Sequence, residues 1–376
     1  MIIDHKHVGY RPTWAEINLD NLEHNFLQIK KRVSGKTSIL VTVKADAYGH
    51  GLVPVSRRLE ESGADFLGVA SIDEGIKLRE AGIKVPILIL GLILKNDISP
   101  LFEYGLTPSV CEEKLAGALN SKAAKLGKKI NVHIKVDTGM GRIGVAHYDA
   151  HLLVKKIHSF RHLGVEGLFT HFAFADMNRK FTFYQIDLFD KLLRDLKKDG
   201  IVIPLVHAAN SMGLLDYKNS HFNMVRPGLV IYGLHPKENI RINLKPVLRL
   251  KTKVVFVKKV PAGSGISYGH KYITRKSTKI ATLPIGYGDG YPRNLSNKAP
   301  VLIRGRKFKI CGSICMDQIM VDVGSAGVRV GDEAVLIGPQ GNSKITAEEL
   351  AELSNTISYE IVCGLGSRIP RILNNC

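Results

Sequence analysis

Lys44 stands where a short β-branched run, residues 38–43, gives way to Ala45-Asp46-Ala47-Tyr48-Gly49-His50-Gly51. A lysine is rarely buried unless it is paired or chemically used. An amine aimed into a cleft from a strand end condenses with a carbonyl to give a Schiff base. A solvated strand-end lysine is the plain alternative, and Lys44 alone does not choose between them. Three further strand ends offer polar or basic groups: Lys135 with Arg142, His171, and Arg226. A strand-end arginine is often a surface ion pair of little worth. In a pocket it is a permanently charged, rigid donor suited to a carboxylate or a ring nitrogen. His171, within Phe169-Thr170-His171-Phe172, reads by default as a satisfied core histidine. These groups matter only if one fold brings their strand ends to one face.

Two loops suit a phosphate dianion. Asn210-Ser211-Met212-Gly213 and Pro227-Gly228-Leu229 both combine backbone N–H groups with small side chains. Ordinary turns explain either loop equally well. Two tyrosine-glycine stretches follow, Gly263-Ser264-Gly265-Ile266-Ser267-Tyr268-Gly269-His270 and Pro284-Ile285-Gly286-Tyr287-Gly288-Asp289-Gly290-Tyr291. Such glycine density marks tight turns or close backbone approach. A tyrosine held there serves as a general acid or base if a cation favours its ionised form.

The elements that must position these residues alternate regularly. Strand 14–19 precedes an amphipathic helix over 20–33, with Asp20 as its expected cap. Strands follow at 38–43, 66–70, 85–90, 106–110, 131–136, 165–170, 204–207 and 223–225, most of them followed by a helix. No G-x-G-x-x-G dinucleotide fingerprint follows the first strand. The expected fold is therefore α/β, an N-terminal (β/α)8 TIM-like barrel, whose sites lie at the C-terminal strand ends. Beyond about residue 240 short β-rich runs dominate until a helix at 347–353, which indicates a C-terminal mostly-β domain. The expected boundaries are 12–240 and 241–376, with strand 12–19 free to join the β domain.

The 376 residues are 45% hydrophobic and 23% charged, as in a water-soluble globular protein. No apolar stretch reaches the ~20 residues of a membrane span, and the N-terminus lacks a secretory apolar segment, so a cytoplasmic location is expected. Five cysteines are too few for a disulfide framework. Cys311 and Cys315 lack the further Cys/His pair of a zinc site, and no metal is expected. The net charge of +19 is scattered, without a stripe or a nucleic-acid motif, so no nucleic-acid partner is expected.

Six ordered motifs resemble those of alanine racemases: Val43-Lys44-Ala45-Asp46-Ala47-Tyr48-Gly49-His50-Gly51, Lys135-Val136-Asp137-Thr138-Gly139-Met140-Gly141-Arg142, His207-Ala208-Ala209-Asn210-Ser211, Arg226-Pro227-Gly228, Ser267-Tyr268-Gly269 and Cys315-Met316-Asp317-Gln318. The likeness runs from Trp14 to Arg371, and Asp46 stands where relatives frequently carry Asn. It implies a fold-type III enzyme dependent on pyridoxal 5'-phosphate that interconverts L- and D-alanine by a two-base mechanism and supplies D-alanine for peptidoglycan. It implies Lys44 as Schiff-base lysine and one base, and Tyr268 as the other, Lys44 serving the D-form and Tyr268 the L-form. Arg226 would face the pyridine nitrogen; Tyr48, Ser211, Gly228, Leu229 and Tyr359 would hold the phosphate, with His171 and Asn210 also beside the cofactor. Arg142 and Met316 would meet the substrate. Lys135, matching a lysine often carbamylated, His207, Tyr287, Cys315 and Asp317 would support the site. Tyr268, Met316 and Tyr287 would come from the partner's C-terminal domain in a head-to-tail homodimer.

Three other readings are compatible with parts of this pattern. One is a pyridoxal-phosphate barrel decarboxylase, which the two tyrosine stretches and Arg226 disfavour. Another is an amino-acid racemase of broader specificity, acting on serine, lysine or arginine. The third is a catalytically silent cofactor-binding protein, which would show no solvent exchange at alanine Cα.

Overall fold

The computed structural model describes residues 10–235 and 242–374; Cys376 and the junction near residue 240 lie outside the described residues. Eight parallel strands close into a barrel: β2 Ser38–Thr42, β3 Phe66–Val69, β4 Ile87–Ile89, β5 Thr107–Val110, β6 Ile130–Asp137, β7 Leu163–Phe169, β8 Leu205–His207 and β9 Met224–Val225. β9 pairs with β2 through Met224↔Ser38 and Val225↔Ile39, which seals the ring. These strands are short apolar runs because helices cover the outside and side chains fill the inside. Leu40, Phe66, Leu88 and Met224 pack together as a separate apolar plug.

The outer helices show the expected one-sided burial. In Arg179–Lys198, Thr182, Gln185, Ile186, Phe189, Leu192 and Leu196 are buried at helical spacing. Helix Leu19–Lys30 corrects one expectation. Its cap is Asn18, whose side chain accepts the Asn21 N–H, while Asp20 lies in the first turn. There its charge favours the helix dipole, and it accepts from Arg58 Nη1 at 2.9 Å.

β1, Thr13–Asn18, is outside the barrel. It pairs antiparallel with Leu248–Lys253 and parallel with Arg371–Asn374. Those strands belong to a sheet continued by Glu333–Gln340, Pro300–Ile303 and Arg306–Lys309. A smaller sheet of Phe256–Val260, Thr278–Leu283 and Ile319–Asp322 and a hairpin of Gly265–Ile266 with Tyr272–Ile273 also belong to the mostly-β region. No helix among the described residues is long and apolar enough to cross a membrane.

Candidate active site

The chain turns sharply just beyond β2. Ala45, Asp46, Ala47 and Tyr48 all adopt left-handed helical geometry, with φ between 53° and 55°. For residues with a Cβ this costs roughly 1–2 kcal/mol each, so the turn must be held from outside. Glu74 bridges two strand ends, accepting the Ala45 N–H at 2.6 Å and the Ala70 N–H at 2.7 Å. The Asp46 carboxylate accepts the Leu52 N–H at 2.8 Å and so caps the next helix. His50 Nδ1 donates to the Tyr48 carbonyl at 2.8 Å. Gly49 takes φ +78° with an added Cβ only 2.2 Å from the Val362 carbonyl oxygen, so no other residue fits.

This turn presents Lys44 to a cavity of about 570 Å³, which Lys135, Arg142, His171 and Arg226 also line. The four strand-end groups are thus brought together. Asn210, Ser211, Gly228 and Leu229, from the two small-residue loops, line the same cavity with Tyr48 and Tyr359. Burial, and then the nearby Arg142 charge, lowers the Lys44 pKa. Lys135 is 3% exposed and sits 4.5 Å from the Phe169 ring centroid. Burial, followed by Arg226 and Arg142, drives its pKa well down.

Arg226 is held as a donor. Its Nη2 reaches the Thr170 carbonyl at 2.6 Å and the Ala208 carbonyl at 3.0 Å, while Nη1 donates to His207 Nδ1 at 2.8 Å. His171 Nδ1 lies 3.5 Å from Nη2. Burial draws the Arg226 pKa to about 9, which still leaves it cationic near neutrality. The same burial, with the surrounding cations, keeps His171 and His207 neutral. His207 itself lies behind Arg226, outside the cavity lining.

The phosphate-suited loops form a cradle. The Ser211 hydroxyl accepts the Gly228 N–H at 3.1 Å, and Asn210 caps the following turn through the Gly213 N–H at 2.9 Å. A Cβ on Gly228 would stand 2.7 Å from the Tyr48 hydroxyl and fill the space. Tyr48 stacks on Tyr232 at 4.8 Å and stands 6.0 Å from Tyr359, ring centroid to ring centroid. Small residues, hydroxyl donors and two amino-group-bearing strand ends fit an aromatic aldehyde phosphate.

Tyr268, Tyr287, Cys315, Met316 and Asp317 do not line this cavity. They form a second cluster on the β region. Ser267 Oγ donates to the Ser313 carbonyl at 2.6 Å and lies 3.3 Å from Cys315 Sγ. The Tyr287 N–H meets the Cys315 carbonyl at 3.0 Å and the Gly288 N–H the Met316 carbonyl at 2.9 Å. Arg368 bonds Asp317 at 2.7 Å, and the fully buried Asp289 takes a two-pronged contact from Arg11. Tyr268, Met316 and Tyr287 are 73%, 52% and 42% exposed.

Sequence reasoning missed several residues here. Glu74 reads as the fourth residue of a capping box opening at Ser71, and that local role hides its grip on Ala45. Gln185 looks like one position of a long helix, yet it donates to Thr138 Oγ1 and the His171 carbonyl, both at 3.1 Å. Cys363, exposed and without any motif, also lines the cavity.

Residues 17–236 match the family "Alanine racemase, N-terminal domain", and residues 247–373 match "Alanine racemase, C-terminal domain". The chain is 52% identical to the alanine racemase of Halothermothrix orenii over 97% of both chains. It is 45% identical to that of Carboxydothermus hydrogenoformans, covering 96% of this chain and 99% of the relative. The solved alanine racemase from a D-cycloserine-producing Streptomyces lavendulae superposes with a TM-score of 0.93 at 35% identity, over 98% of each chain. The Bacillus anthracis alanine racemase with bound L-Ala-P gives 0.91 at 38% identity, over 97% of this chain and 96% of that one. On both domains and at this level of identity, the chain belongs to the alanine racemase family.

Proposed function

We propose that this protein is an alanine racemase that uses pyridoxal 5'-phosphate. The observation that carries the reading is the single cavity in which Lys44 and Arg226 face a cradle of Tyr48, Ser211 and Gly228. Lys44 would anchor the cofactor, Ser211, Tyr48 and the 228–229 backbone would hold its phosphate, and Arg226 would donate to its ring nitrogen. When bound, the cofactor supplies the electron sink that acidifies the substrate Cα–H. Arg226 cannot accept a proton, so it sustains a weak sink and restricts side reactions. Arg142 orients the substrate carboxylate.

Racemisation needs a proton taken from one face of Cα and returned on the other. The Lys44 amine, its pKa lowered by burial and Arg142, serves one face and accepts the proton of D-alanine. Tyr268 serves the other and accepts the proton of L-alanine. Tyr268 is exposed and remote from the Lys44 cavity within one chain, which supports a head-to-tail homodimer. There Tyr268, Met316 and Tyr287 of each subunit complete the partner's cavity. His171, Arg226 and His207 then stand behind Tyr268 as a polar chain. The product serves peptidoglycan synthesis in the cytoplasm.

The test is incubation of the purified protein and cofactor with L-alanine, L-serine and L-lysine, followed by chiral chromatography. D-alanine should form fastest. Lys44→Ala should abolish both racemisation and the near-visible absorbance of lysine-bound cofactor. Release of CO2, or an unchanged spectrum in Lys44→Ala, would overturn the reading.

A further inference from the structure

Beneath Arg226 the polar chain continues past His207 into the barrel interior, through residues that the racemase reading does not use. His207 Nε2 lies 2.8 Å from His133 Nδ1, and His133 Nε2 lies 3.2 Å from Glu166 Oε2. Asn131 Nδ2 donates to the second Glu166 oxygen at 2.9 Å. Both histidines are fully buried, whereas the Glu166 side chain is 24% exposed. The chain therefore runs from the cavity to a carboxylate with access to water.

Its direction follows from elementary chemistry. A guanidinium only donates, so His207 Nδ1, which faces Arg226 Nη1, must carry the lone pair. The His207 proton then sits on Nε2 and is donated to His133 Nδ1. The His133 proton is forced onto Nε2 in turn, where Glu166 accepts it. Burial lowers the pKa of both histidines, with Arg226 acting in the same sense, which keeps the two rings neutral.

The backbone is adapted to this arrangement. Between β6 and β7 the register slips: Val132 faces Val165, but His133 faces Gly167, which leaves Glu166 as the extra residue of a bulge. Bulges re-aim side chains, and this one turns Glu166 toward His133. A Cβ at Gly167 would lie 2.2 Å from His133 Nδ1, so the glycine makes room for the ring. Phe169 stacks on His207 at 4.7 Å with the planes 1° apart.

We infer that Glu166 is a positioning residue: through His133 and His207 it fixes the orientation of Arg226 at the cavity. The catalytic consequence rests on the racemase reading above, whereas the tautomers do not. The first measurement is 15N NMR of the imidazoles in the holoenzyme. His133 and His207 should both be protonated at Nε2 only, unchanged from about pH 7 to about pH 8. In Glu166→Ala the His133 Nε2 signal should shift as its acceptor is lost, while His207 stays protonated at Nε2. Its kcat should fall about ten-fold, the usual cost of losing an orienting outer partner, with KM little changed. Glu166→Gln keeps an acceptor for His133 and should recover activity to within about two-fold. A wild-type His207 protonated at Nδ1, or on both nitrogens, overturns the inference whether or not Glu166→Ala folds. So does a Glu166→Ala kcat equal to wild type, a KM rising in step with the loss of kcat, or failure of Glu166→Gln to rescue. Absence of racemisation by the wild type, with the tautomers as stated, would instead refute the racemase reading.

Discussion

Lys44 and Tyr268, the two bases proposed above, stand in opposite settings. Lys44 is partly buried, and burial with the Arg142 charge lowers its pKa toward a free amine; Tyr268 stands out from its own chain. If the two serve opposite faces of Cα, Tyr268→Phe should slow racemisation in both directions by roughly 10²–10⁴-fold. D-alanine should still exchange its Cα hydrogen for solvent deuterium without inverting, because Lys44 can remove and return a proton on one face. Equal loss of exchange from both enantiomers would refute the division of labour. A second expectation concerns His50, which is fully buried and whose pKa burial lowers from 6.5 to about 4. Below pH 6.5 the unfolded chain binds a proton that the folded chain refuses, so stability is lost as pH falls from 6.5 to about 4. The loss from this one group approaches about 3 kcal/mol, and the neutral His133, His171 and His207 act in the same sense. Urea unfolding at neutral and acid pH should show the decline, and His50→Gln should make it shallower. An identical slope in the variant would count against the assignment.

The element that aims Lys44 is a turn no propensity favours, four successive left-handed residues that are not glycine. It persists because Glu74, Asp46, His50 and Arg371 hold its backbone from four directions. Asp46→Ala should therefore cost about 1 kcal/mol, as for loss of a helix cap, while Asp46→Asn retains the acceptor and stays near wild type. Denaturant midpoints of the two variants test this. Most of the barrel strands were legible because they are short apolar runs ending in polar punctuation, whereas Thr107–Val110 shows little of that pattern. The left-handed turn was not, since Ala45 and Ala47 have no local preference for it and two of the restraining groups, Glu74 and Arg371, come from other segments. The bulge at Glu166 was equally hidden, because a single polar residue between Val165 and Gly167 also fits an ordinary strand with one outward position. Lys44, Arg142 and Arg226 were visible through motif and spacing. Glu74 and Gln185 were not, because each satisfies an ordinary helical role in sequence and shows its second role only where strands converge.

At the scale of the whole molecule the candidate chemistry is split between a barrel cavity and an exposed loop cluster held by Arg11, Arg368 and Asp289. Neither half suffices if the two-base reading holds, and a mixing experiment follows. Lys44→Ala and Tyr268→Phe, each inactive alone, should regain about a quarter of wild-type activity when subunits are exchanged at equal amounts, since half the dimers are mixed and each mixed dimer has one intact site. No recovery after verified exchange would refute the shared site. The net charge of +19 adds a general attraction for phosphate and carboxylate groups. The placement of β1 has its own bearing on how the molecule is made. A ribosome releases β1 long before either of its neighbours, Leu248–Lys253 and Arg371–Asn374. Every barrel strand emerges in the interval, so the barrel can close while β1 waits without partners. The nascent chain thus gains its lysine-bearing half early, and the sheet beside the tyrosine-bearing half is finished only once Arg371–Asn374 has emerged.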